Sequence, residues 1–249
     1  MKTLVSSVLT LIFIFSILFL TSIRQDRIIS QNEVNNLQKL KEEKISKETS
    51  YEKTTYIKEK NISKSKEFTF NSNPNLTIID EVENYVGWIK ITDTKIDYPV
   101  VKTTDNEFYL NHTYSLEENI AGAIFMDRRN LANQFDQHTI IYGHHMKDGS
   151  MFTQLNNYLQ EDFFKKNKIL NFKDLYNEYE YEVISAYYVS ADDYILNYEV
   201  NEEVVNQFIN LSLYKTDYKY ENGDRILTLS TCNYILNNGR MIVHAVEKQ

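Results

Sequence analysis

A single cysteine, Cys232, occurs in this 249-residue chain, so no disulfide can form within it and a disulfide-stapled scaffold is excluded. Proline and glycine are also scarce, at 2 and 6 residues, which leaves little material for long loops. Against them stand 19 Tyr and 13 Phe, with abundant Val, Ile and Thr, and these residue types favour a mainly β domain. Positive charge is short outside the N-terminal region. Residues 1–66 hold 12 Lys and Arg against 7 Asp and Glu, so the remainder of the chain carries a net −13 within a total of −8. An acidic domain repels a phosphate backbone, which excludes nucleic acid as a partner, while the basic stretch suits a position near a membrane surface. The length fits one globular domain plus extensions. No internal repeat or low-complexity tract is present.

Charge is missing altogether from Thr3 to Ile23, a run that includes the dense apolar segment Val8–Leu20 and is long enough to cross a hydrocarbon core of about 30 Å as a helix. The small-x-small pattern of a signal-peptidase site is absent at its end, so an uncleaved anchor over residues 1–30 is expected. Lys2 on one side and Arg24 and Arg27 on the other leave the orientation undecided by charge. Residues 31–66 read as a charged spacer that buries little, partly helical through Val34, Leu37, Leu40 and Ile45 or else extended, and that holds the next domain, residues 67–249, off the membrane.

A short helix is predicted over Ile78–Tyr85. Strands follow at Gly87–Ile91 and Ile96–Val101, joined by a hairpin turn at Thr92-Asp93-Thr94-Lys95, and then at Gly122–Met126, His138–Tyr142, Tyr179–Val189, Arg225–Thr231 and Arg240–Val246. Helical spacing marks Phe152–Phe164 and Val200–Leu213.

Cys232 ends the strand-like run Ile226–Thr231 in polar company, followed by the turn Asn237-Asn238-Gly239. A lone cysteine is commonly a buried packing residue; a thiol outside the membrane, flanked by Ser, Thr and Asn, is instead a candidate nucleophile. Such a thiol needs an imidazole to hold its proton. His112 and His138 lie in polar surroundings and are expected to face solvent, and His244 sits in a strand as a packed residue. His144 and His145 follow Gly143 at the end of another strand, where backbone can approach closely. Adjacent histidines cannot easily share one tetrahedral zinc, so no metal site is expected. Arg240, eight residues beyond the thiol across a turn, can return on an adjacent strand to stabilise an oxyanion.

Together, Thr228-Leu229-Ser230-Thr231-Cys232, the following Arg240 and the upstream Tyr142-Gly143-His144 resemble the sortase signature. The stretch Tyr142–Phe152, the N-terminal helices and the extra helix before the last strands are similar to class B sortases in particular, over roughly residues 75–247. The resemblance implies an eight-stranded β-barrel and a type II anchor with the catalytic domain outside the cell. It implies a cysteine transpeptidase in which the Cys232 thiolate attacks the Thr carbonyl of an Asn-Pro-x-Thr-like sorting signal on a surface protein. His144, the residue directly after the glycine, then protonates the leaving amine, and Arg240 holds the oxyanion. The thioacyl enzyme would pass its acyl group to an amine of peptidoglycan or of a pilin subunit, with no cofactor. The resemblance also points to Asn106, Leu110, Tyr142 and Ser230 as contacts to the signal and to Thr231 as an orienting neighbour of the nucleophile. The Asn, Lys, Ile and Tyr richness suits a low-GC Gram-positive bacterium. A Cys-His endopeptidase that releases its product to water, and a surface binding module with an inert thiol, are the rival readings.

Overall fold

The computed structural model describes residues 2–59, 78–132, 136–190, 196–233 and 238–248, with backbone alone for 2–6, 47–59 and 232–233. Alternating buried aromatic and β-branched residues make the strands. β1 (Tyr85–Ile91) and β2 (Asp97–Val101) form the expected hairpin, followed by β3 (Phe125–Met126), β4 (His138–Tyr142), β5 (Ile169–Asp174), β6 (Glu178–Ser190), β7 (Ile226–Asn233) and β8 (Gly239–Glu247). They close in the order β1-β2-β3-β4-β7-β8-β6-β5, with β5 returning to β1. The sheet is mixed, since β2 with β3 and β4 with β7 are parallel and the other pairs antiparallel. The expected eight-stranded barrel is therefore present. Its core is filled by Trp88, Ile89, Val100, Ile124, Phe152, Leu170, Leu227, Leu229 and Val243, all buried.

Several sequence expectations are corrected. The helix expected over Ile78–Tyr85 is only a turn closed by Val82 N–H on Ile78 O at 3.0 Å, because Tyr85 already pairs with Val101 in β1. Phe152–Phe164 divides into a 3-10 segment Thr153–Leu159 and α2 (Glu161–Lys166). β5 was not expected at all. α3 (Glu202–Leu211) lies where predicted, between β6 and β7; Asn201 Oδ1 caps it by accepting from Val204 N–H at 3.0 Å.

The largest correction concerns the N-terminal region, a single helix, α1 (Lys2–Glu59). Its apolar segment stands clear of the barrel, with Phe15 72% and Leu20 64% exposed, and α1 is long and apolar enough there to cross a membrane. From Ile23 onward one stripe is covered: Ile23, Asp26, Arg27, Ser30, Glu33, Val34, Leu37, Gln38 and Lys41 are buried or half-buried. Three- and four-residue steps keep these positions on one helix face. Val34 and Leu37 join the barrel core. Gln38 Nε2 donates to Asp97 O at 2.6 Å, and Lys41 Nζ lies 3.4 Å from Asp97 Oδ1 and 3.9 Å above the Trp88 ring. Burial pulls the Lys41 ammonium down to about 8, although Asp97 opposes it. The stretch read as a spacer that buries little is thus a docking strut over residues 31–45; residues 60–66 lie outside the described residues.

Candidate active site

Parallel pairing of β4 with β7 in the register Tyr142 to Ser230 makes both strands leave the barrel at the same end. The chain after β4 therefore emerges beside the last residues of β7. Gly143 N–H donates to Ser230 O at 3.2 Å, and the contact is close enough to require glycine: a Cβ at 143 would meet Ile124 Cδ1 at 2.4 Å and Phe152 Cγ at 2.8 Å. His144 follows on a loop that folds back on itself, with Phe152 N–H on His144 O at 2.9 Å, a bridge between His145 and Met151, and Thr153 Oγ1 bonded to both Met146 N and Met146 O. On the other side, antiparallel β8 pairs Arg240 directly with Cys232. The Cys232 backbone belongs to β7, while its side chain lies outside the described residues.

Between these elements opens a cleft of about 210 Å³ lined by Asn106, Leu110, Phe125, Tyr142, Gly143, His144, Ser230, Thr231 and Arg240. Seven of the eight residues singled out from the sequence line it, and the backbone of the eighth, Cys232, follows Thr231 in β7 and pairs with Arg240. His144 Nε2 is 2.5 Å from Leu110 O. A carbonyl can only accept, so Nε2 carries the proton there. Burial lowers the neighbouring His145 from the usual histidine value. Arg240 is half exposed, and its Nη1 donates to Gly239 O at 3.0 Å and to Asn238 Oδ1 at 3.2 Å. Thr231 Oγ1 is buried with no hydrogen-bond partner among the described residues.

Asp127, missed in the sequence, organises one wall. Its side chain is fully buried. It accepts from Arg129 N at 2.9 Å, Arg129 Nε at 2.8 Å and Arg129 Nη2 at 2.9 Å, from Tyr142 OH at 2.8 Å, and from Asn106 Nδ2 at 3.1 Å. Burial alone would raise the carboxyl, but the Arg129 and Tyr142 donors outweigh it and hold Asp127 at about 2. The same burial, with the Asp127 charge, pushes the Tyr142 phenol up. Two cleft-lining side chains therefore hang on one buried carboxylate. The available signal was an acid at the end of the predicted strand Gly122–Met126, next to Arg128 and Arg129.

His138 is not solvent-facing as expected. It is 2% exposed and begins a polar chain inside the molecule: His138 Nδ1 to Tyr198 O at 3.1 Å, His138 Nε2 to Thr228 Oγ1 at 2.7 Å, Thr228 Oγ1 to His244 Nδ1 at 2.7 Å, and His244 Nε2 to Tyr187 OH at 2.8 Å. Phe208 of α3 stacks on His244 at 3.7 Å. Tyr198 O fixes the proton on His138 Nδ1, and the remaining donors follow in one direction from Tyr187 to His138. Burial lowers His138 to about 4 and holds His244 well below the usual histidine value, so both are neutral near pH 7. His112 is half exposed and stacks on Phe108 at 4.0 Å. His244 is the packed strand residue expected.

Residues 89–248 match the family described as Sortase domain. The chain is 39% identical over 168 residues to sortase B of Listeria monocytogenes, covering 65% of this chain and 68% of that protein, and 38% identical over 170 residues to sortase B of Staphylococcus aureus, covering 66% and 70%. Among solved structures, the Staphylococcus aureus sortase B–substrate complex superposes with a TM-score of 0.73 at 29% identity, covering 90% of this chain and 99% of that one. The chain belongs to the sortase family, the cell-surface cysteine transpeptidases that anchor surface proteins, and within it to class B.

Proposed function

We propose that this class B sortase cleaves an Asn-Pro-x-Thr-like sorting signal after Thr through a thioacyl intermediate on Cys232 and transfers the protein to an amine of peptidoglycan or of a pilin subunit. The observation that carries the reading is that His144 and Arg240 reach one cleft from strands hydrogen-bonded to β7, the strand that carries Cys232. The Cys232 thiolate adds to the Thr carbonyl carbon, forming the C–S bond and an oxyanion that Arg240 stabilises. Nη1 is tied to its own turn, and the other guanidinium N–H groups serve the oxyanion. The intermediate collapses with loss of the C–N bond as imidazolium His144 gives its proton to the leaving amine. With Nε2 committed to Leu110 O, that proton passes through Nδ1. The acceptor amine then attacks the thioester, returns a proton to His144 and expels the thiolate.

His144 takes this role ahead of His145, whose burial disfavours the imidazolium. Leu110, 43% exposed, offers an apolar contact to the signal, with Asn106, Tyr142 and Ser230 along the wall. Thr231 Oγ1, buried without a partner among the described residues, suits a substrate polar group, since leaving it unpaired costs about 1–3 kcal/mol. α1 is the membrane anchor through residues 1–30, single-pass and type II, with residues 67–249 as the extracellular catalytic domain.

The test incubates the full chain in detergent with a fluorogenic Asn-Pro-Gln-Thr-Asn peptide, with and without an amine. Cleavage after Thr that yields a ligated product with amine, and that is lost in Cys232→Ala, His144→Ala and Arg240→Ala, is the expected result. Hydrolysis that amine never diverts would replace transpeptidation with an endopeptidase. Activity that survives Cys232→Ala would remove the mechanism.

A further inference from the structure

The apolar run of α1 ends at Ile23, and the barrel takes hold of the same helix at once. Ile23 is already half-covered. Asp26, whose backbone O accepts from Asn119 Nδ2 at 2.8 Å, follows about 4.5 Å further along the axis. Glu33 Oε1 next accepts from Ser115 N at 2.6 Å, and Arg27 acts electrostatically on Asp148 of the His144 loop. Gln38 and Lys41, bonded to Asp97, lie roughly 18–22 Å beyond Asp26 along the axis. One end of the barrel is therefore fixed at the end of the apolar run and the other is held well away from it.

The near end carries the cleft. Asn119 N–H donates to Asn111 O at 2.8 Å, Asn111 follows Leu110, and Leu110 O is bonded to His144 Nε2. Three hydrogen bonds and short covalent steps thus connect Asp26 to His144, a separation of at most about 20 Å. Exposed apolar side chains stand along this path, Ile120 at 44% and Leu110 at 43%.

We propose that the exposed face of the loop around Ile120, with Asn119 and Ala121 buried beneath it, rests in the headgroup layer of the bilayer that α1 crosses, which holds the rim of the cleft at the membrane surface. The proposal rests on the reading of α1 as a membrane span. Arg24, Arg27 and Lys147 are outnumbered here by Asp26, Glu117, Glu118 and Asp148, so helix continuity and not charge sets the contact, and neutral lipid suffices. A sorting signal would then be met beside the membrane instead of a spacer length above it.

Cys232 is the only native thiol, so the full chain as Cys232→Ala with Ile120→Cys accepts one environment-sensitive NBD label. Glu117→Cys gives a second position on the same loop. Thr92→Cys, on the exposed β1–β2 turn at the Asp97 end, gives the distant reference. Each protein is placed in phosphatidylcholine nanodiscs containing lipid spin-labelled at the headgroup. Loss of most NBD emission at 120 and 117, with emission at 92 retained, is expected. Equal quenching at all three positions in a chain that co-purifies with the discs overturns the proposal and leaves the anchor intact. A chain that does not enter the discs overturns both.

Discussion

Replacing Asp127 by Asn keeps its shape and removes its charge, which isolates what the buried carboxylate does. Two carboxylate oxygens accept five donors, two bonds at Oδ1 from Arg129 N and Nε and three at Oδ2 from Arg129 Nη2, Tyr142 OH and Asn106 Nδ2. A carboxamide has one acceptor and one donor end. Turned toward the Oδ1 side, its NH2 faces two N–H groups that cannot reverse. Turned toward Oδ2, only Tyr142 can switch to accepting, and Arg129 Nη2 and Asn106 are released. Breaking such a buried charged network costs about 3 kcal/mol. The drop of the carboxyl from 3.8 to about 2 converts to roughly 2–3 kcal/mol, a consistent magnitude. For a chain of this size that is a fall in Tm of roughly 6–12 °C. Because the folded-state value is depressed, this stability is fully present above about pH 4 and is lost as pH falls through about 2. Melts of wild type and Asp127→Asn should therefore differ at pH 7 and converge near pH 2. With Asn106 and Tyr142 loosened by about 1 kcal/mol of contact each, KM for the sorting peptide should rise roughly thirtyfold while kcat changes less. A lower Tm with unchanged KM would refute the positioning role, and an unchanged Tm would refute the electrostatic argument as well.

Thr228→Val removes the hydroxyl shared by His138 and His244, leaving two buried ring nitrogens without their partner, and should cost roughly 2–4 kcal/mol, read as a lower urea midpoint at constant m. In the wild type the two depressed imidazoles contribute stability above about pH 6.5 that is lost as pH falls below it, for His138 through about 4; a urea midpoint no lower at pH 4.5 than at pH 7 would count against that chain. Gly143→Ala forces a methyl against Ile124 and Phe152, with an expected cost of about 1–3 kcal/mol. Because the displaced backbone carries His144, kcat/KM should also fall by at least about tenfold; wild-type turnover would show that the loop tolerates the shift.

The strands that were legible are those in which side-chain alternation alone separates the two faces. β6 sets Tyr181 and Val183 against Glu178, Glu180 and Glu182, and the glutamates are met by Lys173, Lys248 and Lys168. β5 was missed because Ile169–Asp174 mixes Asn171, Lys173 and Asp174 with only three apolar residues. It becomes a strand through pairing with β1 and β6, and no local preference announces that. The candidate site was legible for the opposite reason. Its chemistry-bearing residues sit at strand ends in short motifs, and a parallel β4–β7 pair brings two of those ends together without any contact that the sequence had to reveal.

Polar partnerships across long separations stayed hidden. Asp127 lies 21 residues from Asn106 and 15 from Tyr142, and a carboxylate gives no periodic signal. His138 read as exposed because Gln137 and Thr139 are polar, yet Phe208 and Tyr198, far along the chain, cover it. The helix α1 makes the same point about residues 31–45. Only Val34 and Leu37 are fully buried apolar residues in the docked stripe, too few to mark an amphipathic helix, and the remaining contacts are made by Glu33, Gln38 and Lys41. Burying two aliphatic side chains supplies roughly 3–6 kcal/mol, enough to seat the helix, while the polar contacts fix which residues of the barrel it meets. A sequence read for apolar periodicity sees the weak seam and infers a tether. The polar contacts make it a strut.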